Sequence, residues 1–387
     1  MKSLREKFTK RWFWLRSQVA FQTAPVRTIW RFISWGVRCA LRRRTIVKIR
    51  SWNLKMLLAT RWRGVEKLIF VFRENYESEL AFLESALLPG KTFVDVGANS
   101  GIYALAASRI VGPSGRVIAF EPSLQSFPTL KTNILLNGVT NVLAIRAAVS
   151  NKTGKALLYH GPDPSQNTLG VNPFVERDME EVVTESLDNA LCQASTKCVD
   201  VIKMDVEGAE ELVIRGANRV VTSQRPIIIF EINPDASASL GLSPHGAWDL
   251  LDGLGYEFYV AGPSGLLREA TSPPAYRNVV AIPRKQERSS CGLSADRPVN
   301  RKNSRTHPTP AGDVRGSERG VRGAFSRRIT ESGQADSPEN AGSEDRSFPA
   351  LRWQPSNASQ TAGCRRGNGN RWRIPAFVRK ICRSCDG

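Results

Sequence analysis

Seven short aliphatic runs, most of them separated by stretches of helical periodicity, constrain the fold of this 387-residue chain more than any other feature. KTFVDV (91–96), RVIAF (116–120), NVLAI (141–145), VDVIKM (199–204), PIIIF (226–230), EFYV (257–260) and NVVAI (278–282) read as strands. Residues 102–111, 123–137, 207–221 and 245–254 read as helices between them, and a further helical pattern runs from Phe70 to Ala86. Such alternation predicts βαβ units, and hence an α/β fold with a mostly parallel sheet and helices on both faces. No helix separates the last two runs, so they are expected to form an antiparallel pair at one edge.

Charge divides the chain in three. Residues 1–63 hold 17 Lys/Arg against one acid, residues 64–284 hold 18 against 25, and residues 285–387 hold 20 against 10, which together give the net +19. The segment with the densest apolar patterning is therefore acidic and would repel a phosphate backbone, so no nucleic-acid partner is expected. The expected organisation is a basic N-terminal extension (1–63), a folded domain (64–284) and a disordered basic tail (285–387). Few aliphatics interrupt the Arg, Ser, Gly, Pro and Asn of that tail, too few to offset chain entropy. Its composition and lack of any repeat also fit a translated frameshift or readthrough extension.

Within the first segment, VRTIWRFISWGVRCALRRR (26–44) places Ile29, Phe32, Ile33, Val37, Ala40 and Leu41 on one helical face and turns Arg31, Arg38 and Arg42 away from it. Two readings stand side by side: a helix lying in the plane of a membrane surface, or a helix packed on the folded domain. No run of apolar residues is long enough to span a bilayer, and WFWL (12–15) is cut off by Arg16 before a signal-peptide core develops. Seven scattered cysteines argue against a disulfide framework and for a reducing compartment; Cys382 and Cys385 form a lone C-x-x-C with no second pair. A cytoplasmic protein is expected, peripheral at the inner face of the membrane if the helix binds lipid.

The chemistry concentrates at the first strand–helix junction, FVDVGANSGIYALAA (93–107). Gly97 permits a tight turn, Gly101 permits close packing of helix on strand, and free amides at the helix start are expected to hold a carboxylate or phosphate. A dinucleotide fingerprint would need glycines where Asn99 and Ile102 stand, which weakens a nicotinamide or flavin reading. A smaller zwitterion such as the methionine part of S-adenosyl-L-methionine suits the loop better, with Asp95 available to its ammonium group.

Glu121 ends the second strand 20 positions after Gly101, near the spacing at which an acid grips two ribose hydroxyls. The fourth and fifth strands run into IKMDVEGAEELVIRGA (202–217) and IIIFEINP (227–234), which bring Asp205, Glu207, Glu231 and Asn233 to the rim where open α/β sheets bind ligands. A carboxylate there can orient or deprotonate a hydroxyl as it attacks a methyl sulfonium. Glu210 and Glu211 are expected only to complement the helix dipole.

VDVGANSGIY, AFEP, NILLNGVTNVLAIRAAVS (133–150), TESLD (184–188) and IKMDVEGAEELVIRGA with IIIFEINP resemble, in order and spacing, the FkbM family of methyltransferases over about residues 75–235. The resemblance implies a Rossmann-like class I methyltransferase fold, S-adenosyl-L-methionine as donor, and O-methylation of a sugar, glycan or natural-product hydroxyl. By position it makes Asp95, Gly97, Asn99, Gly101 and Glu121 cofactor residues and sets Asp205 and Glu207 near the acceptor as catalytic candidates.

Three other readings compete. A nucleic-acid methyltransferase acting on base amino groups would carry an Asn/Asp-Pro-Pro-aromatic segment where this chain has MDVEG. A binding module could retain the fold without catalysis. A divalent ion could be held by Asp205, Glu231 and Asn233, an arrangement the spacing permits without demanding, and no metal ligand is assigned. His160, after the strand-like ALLYH, is a reserve candidate for a base.

Overall fold

Alternate side chains along the central strands feed two separate cores, which is why these strands read as continuously apolar. In the computed structural model, which describes residues 2–62, 64–161, 163–170 and 178–284, Phe93, Val117, Val201, Ile227 and Ile229 belong to one core. Val94, Val96, Ile118, Phe120, Ile202, Met204, Ile228 and Phe230 belong to the other. The strands are β1 (Thr45–Ile49), β2 (Leu54–Leu58), β3 (Thr92–Val96), β4 (Arg116–Phe120), β5 (Val142–Ile145), β6 (Ala148–Ser150), β7 (Gly154–Tyr159), β8 (Met179–Ser186), β9 (Val201–Met204), β10 (Ile227–Ile232), β11 (Tyr256–Ala261), β12 (Leu267–Glu269) and β13 (Arg277–Pro283). The helices are α1 (Lys2–Ser17), α2 (Val19–Thr23), α3 (Pro25–Ala40), α4 (Val65–Phe72), α5 (Ser78–Ala86), α6 (Ile102–Val111), α7 (Phe127–Leu136), α8 (Leu187–Gln193), α9 (Glu210–Gly216), α10 (Asn218–Ser223), α11 (Pro234–Ser239) and α12 (Gly246–Gly253).

The central sheet has the order β12-β11-β13-β10-β9-β3-β4-β5, with β10, β9, β3, β4 and β5 parallel. This is the expected Rossmann-like arrangement, with α3 to α7 contributing to the first core and α8, α9, α10 and α12 to the second. The expected antiparallel pair is β11 and β13; β13 lies between β11 and β10 and is antiparallel to both. All seven strand runs are present.

Several elements went unforeseen. A three-stranded sheet, β6-β8-β7, covers residues 148–186; its strands are short or polar on the outer face (MEEVVTES), so they carry little apolar signal. The single helix expected over 207–221 is two, α9 and α10, because both oxygens of Asp188 accept the Arg219 and Val220 amides and start a new helix there. The helical pattern over 70–86 is likewise broken, by a 3-10 turn at Arg73–Asn75, where Arg73 adopts φ +57°.

The expectation that residues 1–63 stand apart as an extension needs correction. Trp35, Val47, Ile49, Leu54, Met56 and Leu58 share a core with Ile69, Phe82 and Leu105 of the later segment. Asn133 exchanges hydrogen bonds with both backbone groups of Leu57, and Asn137 does the same with Lys55, so the β1–β2 hairpin is tied to α7. Charge misled because Lys48 and Arg50 occupy exposed positions beside inward-facing Val47 and Ile49. The tail 285–387, expected to be disordered, lies outside the described residues.

Candidate active site

The loop after β3 is shaped by backbone that glycine favours. Gly97, Asn99 and Gly101 have φ of +80°, +49° and +90°. A Cβ at Gly97 would run into the carbonyl oxygen of Asp205, so the loop passes against the end of β9 with no room for a side chain. At Gly101 a Cβ would meet the side-chain tip of Leu130, so the close approach there is to helix α7 and not the helix-on-strand packing expected.

Four amides of this loop, at and ahead of the helix start where free donors are expected, are engaged within the fold. Gly97 and Ala98 both donate to the Phe120 carbonyl at the end of β4, Asn99 donates to Glu121 Oε2 at 2.8 Å, and Gly101 donates to Ala98. The loop is thus folded onto the end of β4 by its own donors. Glu121, 6% exposed, accepts the Ser123 amide on its other oxygen at 3.0 Å. Each Glu121 oxygen keeps a further lone pair on the cleft. Burial pushes the Glu121 carboxyl up to about 7 against the pull of the Ser123 and Asn99 amides.

Asp95 is fully buried on β3, and neither of its oxygens reaches hydrogen-bond geometry with a described group. Burial raises its carboxyl to about 6, while Lys203 and the Ala104 amide in the first turn of α6 favour its ionised form. The hydroxyl of Ser100 is buried and unpartnered beside it in the cleft wall. Unsatisfied polar groups of this kind are rare in folded proteins and mark where a ligand completes the site.

These residues line one cleft of about 1220 Å³, its mouth included, at the carboxyl ends of β3, β4, β9 and β10. Asp95, Gly97, Asn99, Glu121, Asp205 and Glu207 all line it, whereas Gly101 sits behind as the N-cap of α6. Val65, Ile69, Ile102, Val149 and Leu158 form its apolar side.

The sequence reading missed four members of the site: Tyr76, Glu77, Tyr103 and Lys203. Lys203 Nζ lies 2.9 Å from Asp205 Oδ2 and 4.7 Å from the centre of the Tyr103 ring, and its side chain is 3% exposed. Burial works against the ammonium, but Asp205, Asp95 and Glu77 outweigh it and hold the group charged. Tyr103 donates its hydroxyl to Glu77 Oε2. A lysine inside the buried run VDVIKM was the available signal, since an unpaired charge would not be tolerated there.

The D-V-E-G turn places Asp205 and Glu207 at the mouth. Glu207 adopts φ +50° and accepts the Asn233 side-chain amide at 3.3 Å; Gly208 leaves no space for a Cβ against the Ala236–Ser237 backbone. Burial and the neighbouring Glu231, Asp205 and Glu210 push the Glu207 carboxyl well above the usual carboxylate range. Burial, Asp205 and Glu210 raise Glu231 to about 8. Carboxylate oxygens of Asp205, Glu207 and Glu231 lie within 4.8 Å of one another, whereas Asn233 spends its oxygen capping α11 through the Ala236 amide.

Glu210 and Glu211 behave as structural groups: Glu210 accepts the Val206 amide and Glu211 pairs with Arg215. His160 is buried and is not among the residues lining the cleft; its Nε2 lies 3.6 Å from Glu180 Oε1.

Residues 95–258 match the methyltransferase FkbM domain family. The chain is similar to methyltransferase sdnD of Sordaria araneosa, 26% identical over 180 residues covering 38% of this chain and 68% of that protein. It is also similar to methyltransferase 1 of Beauveria bassiana, 30% identical over 151 residues covering 34% and 60%. Among solved structures, methyltransferase FkbM from Methylobacillus flagellatus KT aligns at 16% identity and TM-score 0.34, covering 68% of this chain and 60% of that one. The O-methyltransferase from Bacillus cereus in complex with SAH aligns at 13% identity and TM-score 0.32, covering 54% and 78%. The stretch from residue 95 to residue 258, less than half of the chain, is thus similar to FkbM methyltransferase domains.

Proposed function

We propose that this chain is an S-adenosyl-L-methionine-dependent methyltransferase that methylates a hydroxyl of a sugar, glycan or natural product, in a reducing, cytoplasmic compartment. One observation carries the reading: six carboxyl groups (Glu77, Asp95, Glu121, Asp205, Glu207 and Glu231) and one ammonium, Lys203, line the described cleft. A donor with both an ammonium and a sulfonium suits such an excess of acid, and an anionic dinucleotide does not. The donor supplies an electrophilic methyl group on positively charged sulfur.

The chain's own residues divide the work. Asp95, buried with unsatisfied oxygens, receives the donor's ammonium; the remaining lone pairs of Glu121 receive the ribose hydroxyls. The apolar wall excludes water from the reacting methyl. Asp205, held by Lys203, takes the proton from the acceptor hydroxyl, and Glu207, its carboxyl pushed up by burial, hydrogen-bonds the acceptor. Titration calorimetry with S-adenosyl-L-methionine, followed by methyl transfer from labelled donor to hydroxylated glycans and metabolites, tests this. No binding defeats it; binding without transfer to any acceptor favours a module that keeps the fold and has lost catalysis.

A metal-assisted variant is favoured by the approach of Asp205, Glu207 and Glu231, hard oxygen donors of the kind that hold magnesium. Turnover that depends on added magnesium and is abolished by chelator supports that variant.

A further inference from the structure

The helix α3 has two apolar faces, and only one is used. Thr28, Trp35 and Cys39 are buried against the domain, Phe32 packs edge-on to Phe72, Trp35 Nε1 donates to the Arg61 carbonyl, and Arg31 donates to the Val71 carbonyl. Arg38 lies over the Phe70 ring. Most of the face expected from the sequence to be apolar is the outer one, Phe32 excepted: Ile29, Ile33, Val37 and Leu41, joined by Val26 and Trp30, recur at helical spacing and are exposed, Trp30 at 66% and Val26 at 80%. The helix is therefore packed on the domain by one side and presents a fixed apolar stripe by the other.

Beyond this stripe, Trp12, Phe13, Ile46 and Trp62 are also exposed, so ten of the 17 exposed large hydrophobic side chains among the described residues come from the first 62. Apolar area on this scale, contiguous along a helix, marks an interaction site. Its surroundings identify the partner. Arg11, Arg16, Arg27, Arg42, Arg43, Arg44, Lys48 and Arg50 are exposed in the same segment, which contains a single acid.

A second copy of the chain would bring like charge against like charge, and a nucleic acid offers nothing to the aliphatic side chains. The basic tail would be repelled in the same way. Anionic lipid meets both requirements, with acyl chains for Trp30, Ile33 and Val37 and headgroups for the arginines. No described helix is long and apolar enough to cross a membrane, so the helix would lie in the interface.

We propose that α3 docks this protein on an anionic membrane surface, its outer stripe inserted at the headgroup level and its inner face still packed on the domain. The docking has a consequence for the cleft, because α4, against which α3 packs, supplies Val65 and Ile69 to the cleft wall. Membrane contact and cleft are one helix apart.

The test is co-sedimentation of the full chain with vesicles of phosphatidylcholine alone and of phosphatidylcholine with phosphatidylglycerol. Binding is expected only to the anionic vesicles and should weaken as salt rises. The triple variant Trp30→Ser, Ile33→Ser, Val37→Ser alters exposed side chains only and should fold as the parent does by circular dichroism, while its partitioning falls roughly tenfold or more. Arg42→Gln, Arg43→Gln, Arg44→Gln should lose a similar factor and most of the salt dependence. Equal binding by the apolar triple variant would assign lipid attachment to another segment and overturn the proposal. So would the absence of vesicle binding, or a self-association by sedimentation velocity that the triple variant abolishes. None of these outcomes depends on methyl transfer.

Discussion

Asp95 and Lys203 face each other in register on the adjacent parallel strands β3 and β9. A carboxylate and an ammonium thus share one face of the sheet at its carboxyl end, among side chains otherwise aliphatic. Lys203 also pairs with Asp205 two residues on, so one buried cation balances acids from two strands. It does not neutralise the cleft. The acids left in excess can meet a cationic ligand.

Removing that cation should be expensive. Lys203→Met would leave Asp95, Asp205 and Glu77 without the cation that offsets them; deleting one partner of a fully buried ion pair costs about 3–5 kcal/mol, and the lower end is expected here because the Asp205 side chain is 38% exposed. Urea unfolding at unchanged m-value should show a loss of this size. A loss below about 1 kcal/mol would mean that solvent reaches the pair more freely than its burial implies.

The raised carboxyls set a pH dependence. Asp95 at about 6 and Glu121 at about 7 lie above their ordinary values, so between about pH 4 and 7 the folded protein holds protons that the unfolded chain has released. Stability of the unliganded protein should therefore fall as pH rises through that window. A cationic donor favours the ionised carboxylates, so affinity for S-adenosyl-L-methionine should rise from pH 5.5 to 8 and binding should release protons. Calorimetry in buffers of different ionisation enthalpy reads both effects, and a pH-independent affinity would contradict the assignment of these two acids.

The sheet and several of the residues that line the cleft were legible because their signals are local. A buried strand, a glycine-bearing turn and an acid at the next strand end sit close in sequence, and Asp95, Gly97 and Glu121 all reach the cleft. Glu77 and Tyr103 were hidden because their roles depend on meeting Lys203 across the fold. The direction of the loop amides was also invisible, since only the fold shows that the Phe120 carbonyl claims two of them. Several motif residues proved architectural: Asn133 and Asn137 hold the hairpin, and Asp188 caps α10.

Gly97→Ala should damage the site without touching a carboxylate. The residue would have to adopt φ near +80° with its Cβ against the Asp205 carbonyl, a strain of about 1–3 kcal/mol before any backbone shift. Thermal unfolding should shift downward, and donor affinity should fall because the same shift displaces the ends of both β3 and β9. An unchanged melting temperature with intact binding would show that the loop is looser than its packing indicates.

Glu121→Ala should lower donor affinity by roughly a hundredfold, the scale for losing a charge-assisted acceptor in a buried site. The substitution also orphans the Asn99 and Ser123 amides, so part of the loss comes from loop disorder. Glu121→Gln separates the two contributions, because it preserves shape and one acceptor oxygen. Titration of both variants should place Gln between the parent and Ala; equal affinity in all three would remove Glu121 from the donor site.

The two acids of the D-V-E-G turn should respond differently to amide replacement. Burial and the neighbouring Glu231 and Asp205 raise the Glu207 carboxyl, so a neutral amide is a close stand-in and Glu207→Gln should leave turnover within about tenfold of the parent. Asp205 sits in an ion pair with Lys203 and is the carboxylate at the mouth best placed to take a proton from an acceptor hydroxyl. Asp205→Asn should retain donor binding and lower turnover about a hundredfold or more, the usual scale for losing a positioned general base. Single-turnover rates with saturating donor read the chemical step directly. The reverse pattern, with Glu207→Gln inactive and Asp205→Asn active, would move the base to Glu207; loss of both activities together with loss of a magnesium requirement would instead make the pair metal ligands alongside Glu231.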